Sequence, residues 1–297
     1  MRAAERGFLL LSSHLGDAER KPMTGPQLRT LARRMQETEQ PRADRELKIA
    51  DIVGLGYGYE MAERILGLLS EERRLDAYLK SAAEFGCYPV TRVSDGYPIL
   101  LRKRLGLDSP GSLWAKGDVS LLAQPAVSLV GSRDLLEENR KFAAEVGRQA
   151  ALQGYVLISG NARGADRCAQ ESCLAAGGQV ISVVADELYK QPVRENVLYV
   201  SEDGFTEAFS SVRALSRNRV IHALGLKTFV AQSSLKMGGT WDGTVKNLRA
   251  GWSDVYCFHD GSEAMVLLEQ MGANLIGMDE LAVFYDLPKK EENLFDR

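Results

Sequence analysis

Five short segments of this chain contain glycine, arginine or both, and each could hold an anion. The residues of the first two segments are Gly131, Ser132 and Arg133, then Gly160, Asn161, Ala162, Arg163 and Gly164. Small residues let a ligand approach backbone N–H groups closely, and a guanidinium offers paired donors that match a phosphate. Together the two segments indicate a phosphate site, although each alone could also be a tight connection between a strand and a helix.

The other three segments are more ambiguous. Their residues are Arg194 and Asn196, then Arg217, Asn218 and Arg219, and finally Gly239 and Thr240. Arg217 and Arg219 stand at the start of a predicted helix, where the dipole favours anions over cations. An external anion or an acidic protein partner between them would explain this placement. Arg194 lies in a polar loop, where an arginine is most often simply solvated.

Several kinds of chemistry have no support in the sequence. A dinucleotide-binding Gly-x-Gly-x-x-Gly after the first strand, a Walker A loop and a Gly-x-Ser-x-Gly elbow are all absent from it. His14, His222 and His259 are scattered without metal-ligand spacing, and the four cysteines form no Cys-x-x-Cys pair. We therefore predict no catalytic residue, cofactor or metal, and the pattern favours a protein that contacts a polyphosphate or nucleic-acid backbone.

The elements that must position these segments alternate between strand and helix. An apolar run at 126–130 predicts a buried strand, and Phe142, Val146 and Ala150 lie on one face of the helix that follows. Further strands are predicted at 155–158, 180–185, 198–201, 228–232, 254–258 and 274–276. This alternation predicts an α/β fold with a Rossmann-like, doubly wound, mostly parallel sheet. In such sheets ligands bind beyond the carboxyl ends of the strands.

The first part of the chain differs from the rest. We predict a small helical domain at 1–86, a Rossmann-like domain at 87–286 and a tail at 287–297. Within the helical domain, Thr24 precedes a helix, and 49–69 contains two helical patterns joined by a glycine-rich turn. That pair resembles a helix-hairpin-helix or SAM-like unit, which binds phosphate through its turn. An αα-hairpin that only packs is favoured, because Glu60 and Glu63 stand where a phosphate contact requires basic residues.

The overall charge restricts how nucleic acid could be bound. The 297 residues carry a formal net charge of −3, and the sequence pI is about 5.8. A nucleic-acid site must then be a local basic patch on an acidic protein. The apolar run Phe8–Leu11 is too short for a signal peptide or a membrane span, so we expect a cytoplasmic protein without membrane association.

Taken in order, these segments resemble the DNA-processing protein A family, DprA/Smf. The resemblance covers about residues 97–285. The stretches that carry it are, in chain order, Tyr97-Pro98, 113–118, Gly131-Ser132-Arg133, 159–166, Pro192-x-Arg194-Glu195-Asn196, Arg217-Asn218-Arg219 and 267–276. The resemblance implies that the protein binds single-stranded DNA, forms a homodimer, delivers a RecA-type recombinase to incoming DNA and catalyses no reaction.

The same resemblance implies roles for particular residues. Arg133 and Arg194 would hold phosphates, with Ser132 and the loop 160–164 in close contact with the strand. Arg217 and Arg219 would line the same face or brace the loops internally.

Some positions depart from the family pattern. Gln170 replaces a usual histidine, Asn161 replaces a usual apolar residue, and the turn at 238–244 is unlike the family's form. We also expect no winged helix after the Rossmann-like domain. These departures leave open whether the protein acts in DNA uptake or in another DNA-processing or defence context.

Two other functions would use the same loops, nucleotide hydrolysis and the sensing of a nucleotide signal. The turn 238–244 partly resembles that of LOG-type nucleotide hydrolases, but Asn247 stands where their glutamate would be, and an amide cannot act as a general base. The other alternative is a non-catalytic sensor of a nucleotide signal. Trp241 could stack on a base, although packing within its own domain is favoured.

Overall fold

The computed structural model describes residues 1–38, 46–202 and 204–288, and within those ranges it has twelve α-helices and nine strands. The helices are Ala3–Ser12 (α1), Gly25–Glu37 (α2), Ile49–Gly54 (α3), Tyr59–Leu69 (α4), Glu72–Glu84 (α5), Ile99–Leu105 (α6), Glu137–Leu152 (α7), Ala165–Ala175 (α8), Ser211–Ser216 (α9), Asn218–Leu224 (α10), Gly238–Ala250 (α11) and Glu263–Gln270 (α12). The strands are Cys87–Thr91 (β1), Ser112–Lys116 (β2), Ala126–Val130 (β3), Val156–Ser159 (β4), Val180–Val183 (β5), Val197–Ser201 (β6), Lys227–Val230 (β7), Asp254–Phe258 (β8) and Asn274–Ile276 (β9).

All nine strands form one sheet in the order β1-β2-β6-β5-β4-β3-β7-β8-β9. The strands from β6 to β9 in this order are parallel, whereas β1 and β2 pair antiparallel at one end. From the central β3 the chain first adds β4, β5 and β6 on one side and then returns to place β7 on the other. Ser128 of β3 accordingly pairs with both Ile158 and Thr228. The predicted doubly wound, mostly parallel α/β sheet is confirmed.

Helices cover both faces of the sheet, because its central strands are apolar on both sides. One core contains Phe142 and Val146 of α7 together with residues of α8, and it extends to the short helical turns near Phe284. The opposite core contains Leu101 of α6 and Ile221 of α10 together with residues of α11 and α12. The carboxyl ends of β3, β4 and β7 therefore lie side by side between two helical layers.

The N-terminal helices divide between two clusters. Leu10 of α1 and Tyr78 of α5 join the core that includes Trp114 of β2 and Phe205, and the rings of Tyr78 and Trp114 meet edge to face with centroids 5.1 Å apart. Helices α2, α3 and α4 form a smaller cluster of their own around Ile65. The hairpin helices α3 and α4 thus bury apolar residues together with α2.

Local sequence signals match many element boundaries. Thr24 caps α2, since its side chain accepts from Gln27 N and the Gln27 side chain accepts from Thr24 N. The strands predicted at 126–130, 254–258 and 274–276 are confirmed to the residue.

Strands β1 and β2 were not among the predicted strands. All five residues of β2 are buried, yet its sequence ends in Lys116, which hides the apolar pattern of a strand. The Lys116 ammonium is accommodated because its Nζ donates to the carbonyl oxygen of Tyr189 at 2.8 Å.

Two further expectations concern the chain ends and the membrane. Leu287, the first residue of the predicted tail, is buried in the core, and residues 289–297 lie outside the described part of the chain. Among the described residues, no helix is both long enough and apolar enough to cross a membrane.

Candidate functional site

A cleft of about 470 Å³ opens at the carboxyl edge of the sheet, where β3, β4 and β7 end. This is the point at which the strand order reverses, and ligands of doubly wound sheets bind there. A neighbouring hollow of about 230 Å³ shares Arg133, Ala162 and Arg217 with the cleft. The predicted site residues that line one or both are Gly131, Ser132, Arg133, Gly160, Asn161, Ala162, Arg163, Arg217, Asn218, Gly239 and Thr240. The structure therefore gathers most of the predicted residues in one place.

The loop after β3 is held by the residue that follows β7. Ser132 N and Ser132 Oγ both donate to the carbonyl oxygen of Gln232, at 3.0 and 3.2 Å. The Gln232 side chain in turn accepts from Leu136 N at 2.9 Å. The Ser132 hydroxyl proton is thus used within the protein. Arg133 is exposed and makes no hydrogen bond or ion pair with any residue that the structure describes.

The glycines of the loop after β4 are required by the protein's own packing. A Cβ atom on Gly160 would lie 1.4 Å from Arg217 Nη1. Gly164 has φ +90°, and its Cβ would lie 2.5 Å from the carbonyl oxygen of Ser132. Side chains at either position would separate this loop from its neighbours. The sequence analysis explained these small residues by the close approach of a ligand. The structure adds a second reason, because the glycines also allow neighbouring loops to pack closely against each other.

A buried carboxylate and a buried guanidinium organise the same loop. Asp166 Oδ2 accepts from Gly160 N at 3.1 Å and from Ala162 N at 3.2 Å, and it lies 4.0 Å from Arg217 Nη2. Arg217 Nη1 donates to the carbonyl oxygen of Val183 at 3.0 Å. Burial raises the pKa of Asp166, while Arg217 and the two N–H donors favour its ionised form. Asp166 thus fixes the loop after β4.

The other polar residues at the start of α10 also have internal partners. Arg219 donates to the carboxylate of Glu202 and to the carbonyl oxygen of Asp108. Asn218 Nδ2 donates to the carbonyl oxygen of Gly239 at 3.0 Å and joins α10 to the first turn of α11. The anionic partners that the sequence led us to expect outside the chain are therefore its own carboxylates, Asp166 and Glu202.

Arg163 is the second exposed cation of the site. Arg163 Nη2 lies 2.7 Å from Asp134 Oδ1, and both side chains are largely exposed. An exposed ion pair of this kind stabilises a protein by at most about 1 kcal/mol. A phosphate could replace Asp134 as the partner of Arg163 at little cost.

The first turn of α11 completes the cleft. Gly238, Gly239 and Thr240 line it, and no side chain among the described residues caps this helix at Met237. The first N–H groups of a helix have no partner within it and carry a partial positive charge, so they attract anions. The N-terminus of α11 therefore adds backbone N–H donors to the cleft.

Trp241 and Asn247 of the same helix point into the core. Trp241 is buried, as the packing interpretation expects. Asn247 is fully buried, and its Nδ2 lies 3.0 Å from Ser253 Oγ and 3.1 Å from His222 Nδ1. The position that would hold a glutamate in a LOG-type hydrolase is thus part of a structural network. The described residues contain no cluster of side chains that could hold a metal ion.

Arg194 and Asn196 lie apart from the cleft. The carbonyl oxygen of Asn196 accepts from Val180 N, at the first residue of β5, so this segment is at the amino-terminal edge of the sheet. The chain must cross the whole sheet between parallel β5 and β6, and residues 184–196 make this crossing without an α-helix. The sequence placed these two residues with the strand-end loops because that crossing was not recognised.

Other residues of the cleft were not predicted. Phe209 lines both the cleft and its neighbouring hollow, and Gln232 and Met237 line the cleft. Phe209 and Gln232 stand in no glycine- or arginine-containing pattern of the kind that indicated the other loops, whereas Met237 directly precedes Gly238-Gly239 of the fifth segment. Only the position of Gln232 directly after an apolar strand could have pointed to it.

Comparison with known proteins gives consistent results. The sequence model of a family described as DNA recombination-mediator protein A matches residues 89–246. The DNA processing protein DprA of Streptococcus pneumoniae is 30% identical over 225 residues, which span 70% of this chain and 78% of that protein. The corresponding protein of Bacillus subtilis is 26% identical over 176 residues, or 56% of this chain and 59% of that protein.

Solved structures show the same fold. That of the Streptococcus pneumoniae protein has a TM-score of 0.72 at 22% identity and covers 98% of this chain and 100% of its own. A Helicobacter pylori DNA processing protein A, whose structure is described as showing a single-stranded DNA binding mode, has a TM-score of 0.55 at 22% identity. It covers 65% of this chain and 92% of its own.

Proposed function

The chain belongs to the DNA recombination-mediator protein A family, DprA/Smf, and from this premise we propose that it binds single-stranded DNA in the cleft. The observation that carries the proposal is Arg133, an exposed cation without a partner among the described residues, which lines the same cleft as the uncapped first turn of α11. A phosphodiester between them would meet a guanidinium on one side and backbone N–H groups on the other.

Two kinds of arginine have different roles in this proposal. Arg133 and Arg163 are exposed and contact phosphates, Arg163 by exchanging Asp134 for the ligand. Arg217 and Arg219 brace the loops and set the shape of the cleft. Because the chain as a whole is acidic, this local arrangement rather than the net charge attracts DNA.

Arg194 is proposed as a separate phosphate contact with Asn196 beside it. Both are exposed at the opposite edge of the sheet, so a strand confined to the cleft does not touch them. The substitution Arg194→Ala is therefore expected to weaken the binding of long oligo-dT while leaving the binding of short oligo-dT unchanged.

The wider role follows from the family. We propose that the protein acts as a homodimer that delivers a RecA-type recombinase to single-stranded DNA, without catalysing a reaction itself. Asn247 supports the absence of nucleotide hydrolysis, because it is buried in the core and carries no carboxylate.

The test is a titration of fluorescent oligo-dT with the protein at several salt concentrations. Each phosphate contact adds about 0.7 to the slope of log affinity against log salt for a single strand. We expect a steep slope for the unmodified protein, and a loss of about 0.7 in slope with several-fold weaker binding for Arg133→Ala.

Arg249→Ala is the matched control, since Arg249 is an exposed arginine in the last turn of α11, at the opposite end of that helix. It should leave affinity and slope unchanged. Absence of oligo-dT binding by the unmodified protein, or equal effects of the two substitutions, would contradict the proposal.

A further inference from the structure

An apolar rim borders the cleft. We use this name for four side chains, Phe209, Val212, Leu215 and Met237, whose residues are 55%, 76%, 47% and 69% exposed. Phe209, Leu215 and Met237 line the cleft that holds Arg133, and Val212 and Leu215 line the adjoining hollow at Lys246. Soluble proteins rarely leave neighbouring large apolar side chains uncovered without a function.

The rim is held in place by polar contacts. Ser210 caps α9 through its hydroxyl, which accepts from Arg213 N at 3.1 Å. Arg213 Nη1 donates to the carbonyl oxygens of Ala185 and Glu207, at 2.7 and 2.8 Å. Val212 and Leu215, three residues apart on α9, are consequently presented on one face of a braced segment. The apolar groups are exposed because the segment is fixed, so a ligand need not order it.

The chemistry on the two sides of the rim identifies what fits it. One side is the cleft with Arg133 and the first turn of α11, which suits an anionic backbone. The rim itself offers an aromatic ring and three aliphatic side chains, which suit flat apolar surfaces. Unpaired bases on a phosphodiester backbone combine both properties, whereas in a duplex the base faces are stacked inside the helix and unavailable.

We propose that the apolar rim contacts unpaired bases and provides the preference for single-stranded over double-stranded DNA. This inference rests on the proposed function and assigns the part of the ligand that the arginines do not recognise. Phe209 stacks on a base at the border of the cleft and the neighbouring hollow, and Leu215 and Met237 pack against the adjacent one.

The test compares two probes of equal length, oligo-dT and an oligomer of abasic deoxyribose phosphates, and adds a DNA duplex as a third. Phe209→Ala should weaken oligo-dT binding about tenfold, as loss of one stacked base does. Its affinity for the abasic oligomer and the slope of its salt dependence should not change. The preference of Phe209→Ala for oligo-dT over the duplex should fall by the same factor. Phe209→Trp, which keeps an aromatic ring, should retain both the oligo-dT affinity and this preference.

Matched controls come from the opposite edge of the sheet. Tyr285→Ala removes an exposed aromatic ring and Leu152→Ala an exposed aliphatic side chain, at residues that are 84% and 60% exposed. Both should bind oligo-dT like the unmodified protein, whereas Leu215→Ala should bind it more weakly.

The outcomes separate this inference from the proposed function. If the unmodified protein binds neither oligo-dT nor the abasic oligomer, the proposed function fails and the rim proposal fails with it. If it binds oligo-dT but Phe209→Ala binds equally well, or loses affinity for both probes alike, only the rim proposal is overturned. The rim proposal would also be overturned if Phe209→Ala bound DNA normally but lost self-association in sedimentation. That result would assign the rim to contact with a second copy of the chain.

Discussion

Arg133 and Arg217 line the same cleft, yet the guanidinium of Arg133 is exposed and that of Arg217 is buried. Both belong to tripeptides that the sequence marks as anion-binding. What separates them is their partners: Arg217 reaches Val183 O and Asp166, which are 34 and 51 positions away along the chain. Residue types and local spacing single out both arginines, but only the packed fold determines which of them is exposed to a ligand.

Replacement of Arg217 should destabilise the protein. In Arg217→Met the buried carboxylate of Asp166 loses its cation, and breaking a buried pair costs about 3–5 kcal/mol of unfolding free energy. Urea denaturation measures this loss. Arg163→Ala, which breaks an exposed pair, should cost less than about 1 kcal/mol. A stability of Arg217→Met within 1 kcal/mol of the unmodified protein would show that Arg217 does not brace the loops.

His222 should make stability depend on pH. It is fully buried, its Nε2 has no hydrogen-bond partner among the described residues, and burial lowers its pKa to about 3. In the unfolded chain a histidine titrates near pH 6.5, so between these values only the unfolded state binds the proton. Stability should consequently fall with falling pH below about 6.5, by about 1.4 kcal/mol per pH unit.

Urea unfolding between pH 7 and pH 5 tests this dependence. His222→Gln should lack this component of the slope, whereas His14→Gln, at an exposed position, should retain it. An equal slope for His222→Gln and the unmodified protein would contradict the assignment.

Elements, rather than single residues, place the cleft. The alternating apolar runs were sufficient to predict most strands and the doubly wound sheet, because parallel strands buried on both faces leave a clear pattern. The crossing between β5 and β6 was not predictable in the same way, since residues 184–196 contain neither a helical period nor a strand. For that reason Arg194 and Asn196 were expected at the wrong edge, while the loops after β3, β4 and β7 were expected where they are.

The first turn of α11 can be tested through Thr240, its third residue. In Thr240→Asp a carboxylate enters the turn, which the helix dipole favours by about 0.3–1 kcal/mol, so stability should be unchanged or higher. The same charge lies in the cleft and repels phosphate, so oligo-dT affinity should fall about tenfold.

Thermal denaturation and oligo-dT titration measure the two effects in the same sample. Thr240→Asn, a neutral substitution of similar size, is the control and should bind oligo-dT nearly normally. Unaltered oligo-dT affinity of Thr240→Asp would show that phosphates do not approach this helix.

The N-terminal helices α1 and α5 share one hydrophobic core with the sheet. Tyr78 of α5 contacts both Trp114 and Phe205, with ring centroids 5.1 and 4.8 Å apart. The change in sequence character near residue 86 indicated a helical first part, but it could not reveal that α1 and α5 share their apolar faces with the sheet. Such contacts join residues far apart in sequence and leave no local pattern.

Removal of residues 1–86 should therefore destabilise what remains. A fragment of residues 87–288 exposes the faces of Trp114 and Phe205 that Tyr78 covers. We expect it to bind a hydrophobic dye and to unfold at a lower urea concentration than the full chain. A fragment as stable as the full chain would contradict the shared core.

The central claim is that DNA lies at the carboxyl edge of the sheet, and photochemical crosslinking measures this most directly. A short oligo-dT carrying iododeoxyuridine is crosslinked to the protein, and the modified peptides are identified by mass spectrometry. Crosslinks should fall in peptides that contain Arg133, Phe209 or Met237, and they should disappear when unlabelled oligo-dT competes. Crosslinks confined to peptides of the opposite edge, around Leu152 and Tyr285, would contradict the account.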